Sequence, residues 1–238
     1  MFCSRQAYYI LRCKDRNMAG LHIQTGLHLA VAALLLVSLA AAGRVTHKRT
    51  ECKAKVKKCE NVNFVPRANW QAKTPREKII GPKPVDYSIV HHTNTTNCTN
   101  LTDCSARVRA IQTHHMDTNG WDDIGYNFLI GGDKRVYEGR GWGVVGTHAG
   151  SYFYNCNSIG IAVIGNYTDV LPSPGVLNVL RNLLDCSVKL GYLTEAYILK
   201  GHKDVRDEQL GPTDCPGDEL YAEIRTWPNY CKDQPETP

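Results

Sequence analysis

The sequence predicts an α/β fold, with a single mixed β-sheet flanked by helices, and three observations lead to this prediction. Short apolar runs rich in β-branched residues, typical of buried strands, recur along the chain. Between them lie longer segments whose apolar residues repeat at helical spacing. Strands that alternate with helices in this way form a sheet with helices packed against it.

Five segments have the composition of strands. The one that ends in His91 and His92 is expected to be buried, and the second and third are expected to be joined by a turn at residues 131–134. The fourth is a hydrophobic run expected at the centre of the sheet. The predicted strands cover residues 86–92, 126–130, 135–137, 158–165 and 197–200.

Three helices are expected, over residues 105–118, 174–190 and 218–226. The first has apolar residues at helical spacing and is followed by Gly120, a residue type that commonly follows a helix. The second has Ser173 as its predicted N-cap and Gly191 at its end.

Residues 1–42 are predicted to be a signal peptide or a signal anchor. The apolar stretch Leu27–Ala42 has about sixteen residues, fewer than the roughly 20 that a membrane-spanning helix needs. Small residues at its end offer a cleavage site before Gly43. Basic residues crowd the far side of the stretch, which weighs against an anchor that exports the C-terminal part of the chain. We favour cleavage and secretion; the alternative is a single-pass membrane protein with an extracellular C-terminal domain.

Beyond this segment, residues 43–63 are polar and lysine-rich and are predicted to be a linker. Residues 64–232 are predicted to form the folded domain, and 233–238 a tail. The net charge of +5 falls to about +2 without residues 1–42, which is too small to indicate a nucleic-acid partner. The 10 cysteines favour the secretory route, as do N-x-S/T sequons at Asn94, Asn97, Asn100 and Asn166.

Distant parts of the chain offer ligands for a zinc ion. His91 and His92 end the first predicted strand, His202 follows the last one, and Cys215 lies in a loop rich in glycine and proline. Two imidazoles and one thiolate leave the fourth tetrahedral position to water, which is the arrangement of a catalytic zinc. The spacing alone does not decide between His91 and His92.

Long motifs succeed one another from about Val65 to Tyr230. They are V-P-R-A-N-W, I-V-H-H-T, C-x5-C, G-W-D-D-I-G-Y-N-F-L-I-G, V-Y-E-G-R-G-W, S-I-G-I-A-V-I-G-N-Y, Y-I-L-K-G-H and C-P-G-D-E-L-Y. In this order they resemble the peptidoglycan recognition protein family. The resemblance implies a domain related to phage-type amidases, with a groove over zinc that binds the glycan and stem peptide of bacterial cell wall. In catalytic members it implies hydrolysis of the N-acetylmuramoyl-L-alanine amide in innate defence.

The resemblance also implies roles for individual residues. His91, His202 and Cys215 match the zinc ligands, and Tyr126 and Thr213 match catalytic positions. The residues that would line the substrate groove are His92, His115, Gly120, Trp121, Tyr126, Arg140, His148 and Asn155.

Diaminopimelate-type peptidoglycan is the expected partner. The Gly120–Trp121 pair resembles members that prefer it over the lysine type. The guanidinium of Arg140 suits a bidentate pair with the extra carboxylate of diaminopimelate.

The resemblance implies two disulfides, Cys98–Cys104 and Cys59–Cys186. Cys3 and Cys13 precede the apolar stretch. The pairing of Cys52, Cys156 and Cys231 is left open, because an odd number of cysteines remains.

One departure concerns the interval between His202 and Cys215, which is longer than in typical members. The extra residues fall within Arg206–Gly211. A surface insertion of this kind costs little closure entropy, so Cys215 is still expected to reach the metal. The alternative function is a non-catalytic peptidoglycan-binding receptor in which the insertion prevents turnover.

Overall fold

The computed structural model describes residues 59–231. The expectations for residues 1–58 and 232–238 lie outside the described residues. They are the signal segment, most of the linker, the tail, and the states of Cys3, Cys13 and Cys52.

A six-stranded mixed sheet forms the centre of the domain. Its strands are β1 (Phe64–Val65), β2 (Val85–His92), β3 (Phe128–Ile130), β4 (Val136–Glu138), β5 (Ser158–Val163) and β6 (Leu193–Gly201). Their spatial order is β1-β4-β3-β5-β2-β6. Strands β3 and β4 are antiparallel, and the other neighbouring pairs are parallel.

Four α-helices, one π-helical turn and two 3-10 turns surround this sheet within residues 59–231. The α-helices are α1 (Leu101–Thr113), α2 (Tyr152–Asn157), α3 (Pro174–Lys189) and α4 (Asp218–Ile224). A π-helical turn, His114–Thr118, continues α1. Two 3-10 turns, His202–Asp204 and Glu208–Leu210, follow β6.

The core lies on both faces of the sheet, because side chains alternate along each strand. In β5, Ile161 and Val163 belong to the apolar cluster that contains Leu180 of α3. Ala162 lies in a second cluster, with Val108 of α1. The prediction of an α/β domain with one mixed sheet and flanking helices is therefore confirmed.

Several element boundaries differ from those expected. Helix α1 begins at Leu101 rather than residue 105, because Asn100 Oδ1 accepts the Asp103 N–H at 3.0 Å and caps the helix there. Residues 114–118 are π-helical rather than α-helical. Ser173 holds the N-cap position of α3, but its side chain makes no capping hydrogen bond.

Strands and helices elsewhere were also mispredicted in part. Strand β3 begins at Phe128 instead of residue 126, β6 begins at Leu193 instead of 197, and α4 ends at Ile224 instead of 226. Neither the short strand β1 nor the helix α2 was expected. Gly191 does follow α3 with a φ of 77°, as expected of a glycine after a helix.

Both expected disulfides are present, Cys98–Cys104 and Cys59–Cys186. Cys156 is also disulfide-bonded. Among the described residues, Cys215 and Cys231 are free thiols. The second disulfide fastens the start of the described chain to α3, where Asn182 Nδ2 also donates to the Asn61 carbonyl at 3.3 Å.

Within residues 59–231 no helix has the length and apolar character needed to cross a membrane.

Candidate metal centre and groove

Three side chains converge at the carboxyl ends of two neighbouring strands. The potential ligand atoms of His91, His202 and Cys215 all lie within 4.8 Å of one another. Strands β2 and β6 are parallel, and Val90 pairs with Gly201, so the residue after each comes to the same edge. This edge of an open α/β sheet is where ligands usually bind.

Strand alternation explains why His91, and not His92, reaches this cluster. His91 lies on the same face of β2 as Ile89, which packs against Ala149 on the groove side. His92 points to the opposite face, as does Val90, which belongs to the α3 cluster. There the Nδ1 atom of His92 accepts the backbone N–H of Tyr167 at 3.3 Å.

Cys215 is delivered by the loop that follows the 3-10 turns. Its carbonyl accepts the Lys203 N–H at 3.0 Å, which joins the two ends of the loop. Its Sγ atom lies 3.6 Å from His91 Nδ1 and 3.7 Å from the His92 carbonyl. The Thr213 hydroxyl accepts the Cys215 N–H at 3.3 Å and is not among the groups that line the groove.

Burial keeps all three groups uncharged when no cation is present. It lowers the pKa of His91 well below its ordinary value, and the neighbouring His202 adds to this effect. Burial and then Arg206 lower the pKa of His202 to about 4. Burial also raises the pKa of the Cys215 thiol to about 12. A divalent cation supplies the positive charge that favours the thiolate over the thiol.

The donor set fits a zinc ion. His202 Nε2 is buried and has no hydrogen-bond partner within residues 59–231. An unpaired buried nitrogen is costly unless something binds it. The backbone of Ala149 lies beside the His202 ring and opposes the lowering of its pKa. Two neutral imidazoles and a thiol that can ionise match the ligands of a zinc site that keeps one open position.

A groove of about 780 Å³ opens above this cluster and includes His202 in its lining. Six of the residues that the sequence assigned to substrate binding line it, namely Gly120, Trp121, Tyr126, Arg140, His148 and Asn155. His92 and His115 do not line it. His115 borders a neighbouring cavity of about 180 Å³, which also includes Tyr126.

The aromatic residues of the groove lining, Trp121 and Tyr126, pack against histidine rings. The ring centroids of His91 and Tyr126 lie 5.2 Å apart, and those of His115 and Trp121 lie 4.7 Å apart. His115 comes from the π-helical turn, a feature often found at functional sites. Its Nδ1 atom accepts the Gly125 N–H at 3.0 Å, and burial lowers its pKa to about 4.

Two polar residues of the groove lining, Arg140 and His148, are buried. Arg140 donates from Nε to the Ile124 carbonyl at 2.8 Å and from Nη1 to the Val145 carbonyl at 2.9 Å. These two bonds fix the plane of the guanidinium and leave Nη2 to a ligand. Burial of His148 lowers its pKa to about 3.

The inserted segment forms a rim of the groove that the sequence did not assign to binding. Arg206 and Leu210 both line the groove, together with Ile79 and Tyr152. Arg206 donates from Nε to the Gly211 carbonyl at 2.7 Å and from Nη2 to the Leu210 carbonyl at 3.2 Å. The insertion itself was the only sequence signal for Arg206 and Leu210. Ile79 and Tyr152 belong to no recognisable sequence pattern.

Fold and site together define an α/β domain with an open groove above a potential metal site. A family described as N-acetylmuramoyl-L-alanine amidase matches residues 81–218. Peptidoglycan-recognition protein SC2 of Drosophila melanogaster is 40% identical over 169 residues, which is 71% of this chain and 88% of that protein. The chain therefore belongs to the peptidoglycan recognition protein family.

Two further similarities concern an enzyme and a complex. The N-acetylmuramoyl-L-alanine amidase of Homo sapiens is 43% identical over 172 residues, which is 69% of this chain but 28% of the human protein. The structure of peptidoglycan recognition protein LE was solved with tracheal cytotoxin, a monomeric diaminopimelic acid-type peptidoglycan. It is 37% identical with a TM-score of 0.67, and the match covers 71% of this chain and 96% of that one.

Proposed function

We propose that this protein is a zinc-dependent N-acetylmuramoyl-L-alanine amidase that binds diaminopimelate-type peptidoglycan and hydrolyses the amide between muramic acid and L-alanine. The observation that carries the proposal is the convergence of His91, His202 and Cys215 within 4.8 Å beside the groove. The human amidase among its relatives and the relative solved with a peptidoglycan fragment support the reaction and the substrate.

His91, His202 and Cys215 would hold the zinc ion. Bound there, zinc supplies Lewis acidity that polarises an amide carbonyl and activates water for attack at neutral pH. Burial, followed by the nearby Cys215, raises the pKa of Tyr126 above its ordinary value, so the phenol stays protonated at neutral pH. Tyr126 can therefore donate a hydrogen bond to the oxyanion that forms when the amide is attacked. Thr213 acts only indirectly, because its hydroxyl holds the Cys215 N–H.

The groove would bind the muramyl peptide through residues of different chemistry. Trp121 offers an aromatic face for a sugar ring or an aliphatic stem, and Asn155 offers an amide for peptide groups. Arg140, with its guanidinium plane fixed by two backbone carbonyls, would pair with the extra carboxylate of diaminopimelate.

The protein would act outside the cell, in innate defence. The Cys59–Cys186 and Cys98–Cys104 disulfides and the bonded Cys156 suit an oxidising compartment. The sequon residues Asn94, Asn97, Asn100 and Asn166 are exposed, as glycosylation requires. Residues 1–42 would direct export as a cleaved signal, or as an anchor in the alternative arrangement.

The test is hydrolysis of purified diaminopimelate-type peptidoglycan with and without a zinc chelator. The readout is the release of stem peptides that carry a free L-alanine amine. We expect release that the chelator stops and that added zinc restores. Replacing Cys215→Ala should abolish release and spare much of the binding, because one metal ligand is lost while the groove residues remain. Cys231→Ala is the matched control, since it removes the other free thiol of residues 59–231 and should change neither.

A second candidate function is a non-catalytic peptidoglycan receptor. The observation that favours it is the inserted segment, because its Arg206 and Leu210 line the groove. A folded protein that binds both zinc and peptidoglycan, yet releases no stem peptide, would support the receptor and overturn the amidase.

A further inference from the structure

The dipeptide His148–Ala149 lies next to both histidines of the candidate metal centre. His91 Nε2 lies 2.9 Å from His148 Nδ1, while the other ring nitrogen of His91 faces Cys215. The backbone of Ala149 lies beside the ring of His202. One dipeptide therefore contacts His91 and lies next to His202.

Asn155 of helix α2 holds this dipeptide in place. Its Oδ1 atom accepts the backbone N–H of His148 at 2.8 Å and that of Ala149 at 2.9 Å. Both bonds go to one oxygen, so the position of the whole dipeptide depends on a single side chain.

The ring of His148 is fixed from its other sides by close packing. A Cβ atom at either Gly146 or Gly160 would overlap the ring, so glycine is needed at both positions. The Ser158 hydroxyl lies 3.5 Å from His148 Nε2 and donates to the Tyr154 carbonyl at 2.5 Å. The ring therefore has little freedom to turn away from His91.

We propose that Asn155 is a positioning residue for the zinc site, which orients the ligand His91 through His148. The proposal rests on the proposed function, because it concerns the same zinc ion. With His91 Nε2–H donated to His148 Nδ1, His91 turns the lone pair of its Nδ1 toward Cys215 and the centre. Outer partners of this kind fix the tautomer and the orientation of ligand rings.

The two possible roles of Asn155 can be separated chemically. Positioning needs only an acceptor oxygen, which Asp provides in the same place. A contact to substrate from the groove would also use the Nδ2 donor, which Asp lacks. Asn155→Leu removes the acceptor and the donor together, whereas Asn155→Asp removes only the donor.

The experiment measures metal binding by the full-length, metal-free protein rather than turnover. Zn²⁺ affinity is determined by competition with a chromophoric chelator, and bound Co²⁺ reports ligand geometry through its visible spectrum. Loss of an outer partner of a metal ligand typically lowers metal affinity by about 10–100-fold. We expect the zinc affinity of Asn155→Leu to be lower by roughly tenfold, because Asn155 acts on the ligand through His148 and not directly. Its Co²⁺ spectrum should change, and Asn155→Asp should restore affinity and spectrum. Asn182→Leu, the same change on α3 far from the groove, should have no effect.

A folded Asn155→Leu protein with unchanged zinc affinity and Co²⁺ spectrum would overturn the positioning role. If that variant does not fold, His148→Ala removes the partner of His91 directly, and unchanged zinc affinity there would be equally decisive against it. Weakened metal binding in a protein that hydrolyses no peptidoglycan would support the positioning role while the amidase fails. An unmutated protein that binds no zinc would overturn both proposals.

Discussion

The two segments that carry the candidate metal ligands are held in different ways. His91 lies in β2, a strand with hydrogen-bonded neighbours on both sides, β5 and β6. All but one residue of β2 is buried. His202 and Cys215 lie at the two ends of a surface loop in which residues 207–210 are exposed. The loop is closed by the backbone hydrogen bond between Lys203 and Cys215. It is also held by the hydrogen bonds from Arg206 to the carbonyls of Leu210 and Gly211.

This difference separates ligand geometry from access to the site. The strand fixes His91 through the core, so its position depends on the stability of the whole domain. The inserted residues between His202 and Cys215 can vary in length and composition, because the two loop ends are joined independently of them. The fold therefore keeps the metal centre constant while the rim of the groove is free to differ.

Substitutions in the two segments should differ sharply in their effect on stability, and this is the largest effect we expect. Ile89→Ala removes a fully buried side chain of β2 and should lower the free energy of unfolding by about 2–5 kcal/mol. Leu210→Ser changes a loop side chain that is 53% exposed, and the expected change is within about 0.5 kcal/mol. Urea unfolding of both variants measures the difference.

The matched pair also has a clear failing outcome. If Leu210→Ser destabilised the domain as much as Ile89→Ala, the loop would be part of the cooperative core. The separation between ligand geometry and access would then be wrong.

The fold could be predicted from the sequence wherever an element has its own pattern. The apolar run of β5 and the helical spacing of α1 are such patterns, and both were found. Strand β1 has two residues, too few for any periodicity, and is defined only by its pairing with β4. The early start of α1 did have a signal, because Asn100 followed three residues later by Asp103 resembles a capping pattern.

The candidate site was predictable in its residue types but not in its geometry. The histidines and the cysteine were found by spacing and resemblance, whereas the choice of His91 over His92 depends on which face of β2 meets the groove. The hydrogen bonds of Asn155 to the backbone of His148 and Ala149 were missed for another reason. They depend on backbone groups brought together by the tertiary fold, which no sequence pattern specifies.

The free energy of unfolding should also depend on pH, because His115, which packs against Trp121 of the groove, is buried. His115 has its pKa lowered to about 4, chiefly by burial, from an ordinary value of 6.5. Between about pH 6.5 and about pH 4, His115 is protonated in the unfolded chain but neutral in the folded domain. The free energy of unfolding should therefore fall as the pH drops across this range. For this residue the slope is at most about 1.4 kcal/mol per pH unit. Unfolding in urea at several pH values measures it.

His115→Gln isolates the contribution of this residue. Glutamine can still accept the Gly125 N–H but does not titrate, so the variant should lose less stability between pH 6.5 and 4 than the unchanged protein. Parallel pH profiles for the two proteins would show that His115 is not the group responsible.

The smallest effect is expected in the loop itself. Arg206→Ala removes two hydrogen bonds to carbonyls in the same exposed loop, together with little buried apolar surface. Global stability should therefore change little, while local opening of the loop becomes easier. Hydrogen exchange of the Leu210 and Gly211 amides, which are bonded to Asp207 and Glu208, should become faster.

Arg181→Ala is the matched control for this loop measurement, since it breaks an exposed ion pair with Glu223, away from the groove. It should leave the exchange of both loop amides unchanged. Unaltered exchange in Arg206→Ala would mean that the loop is held by contacts other than its arginine. Faster exchange that slows again when a peptidoglycan fragment is added would show that ligand and inserted rim are in contact, and that this segment, rather than β2, adjusts to the substrate.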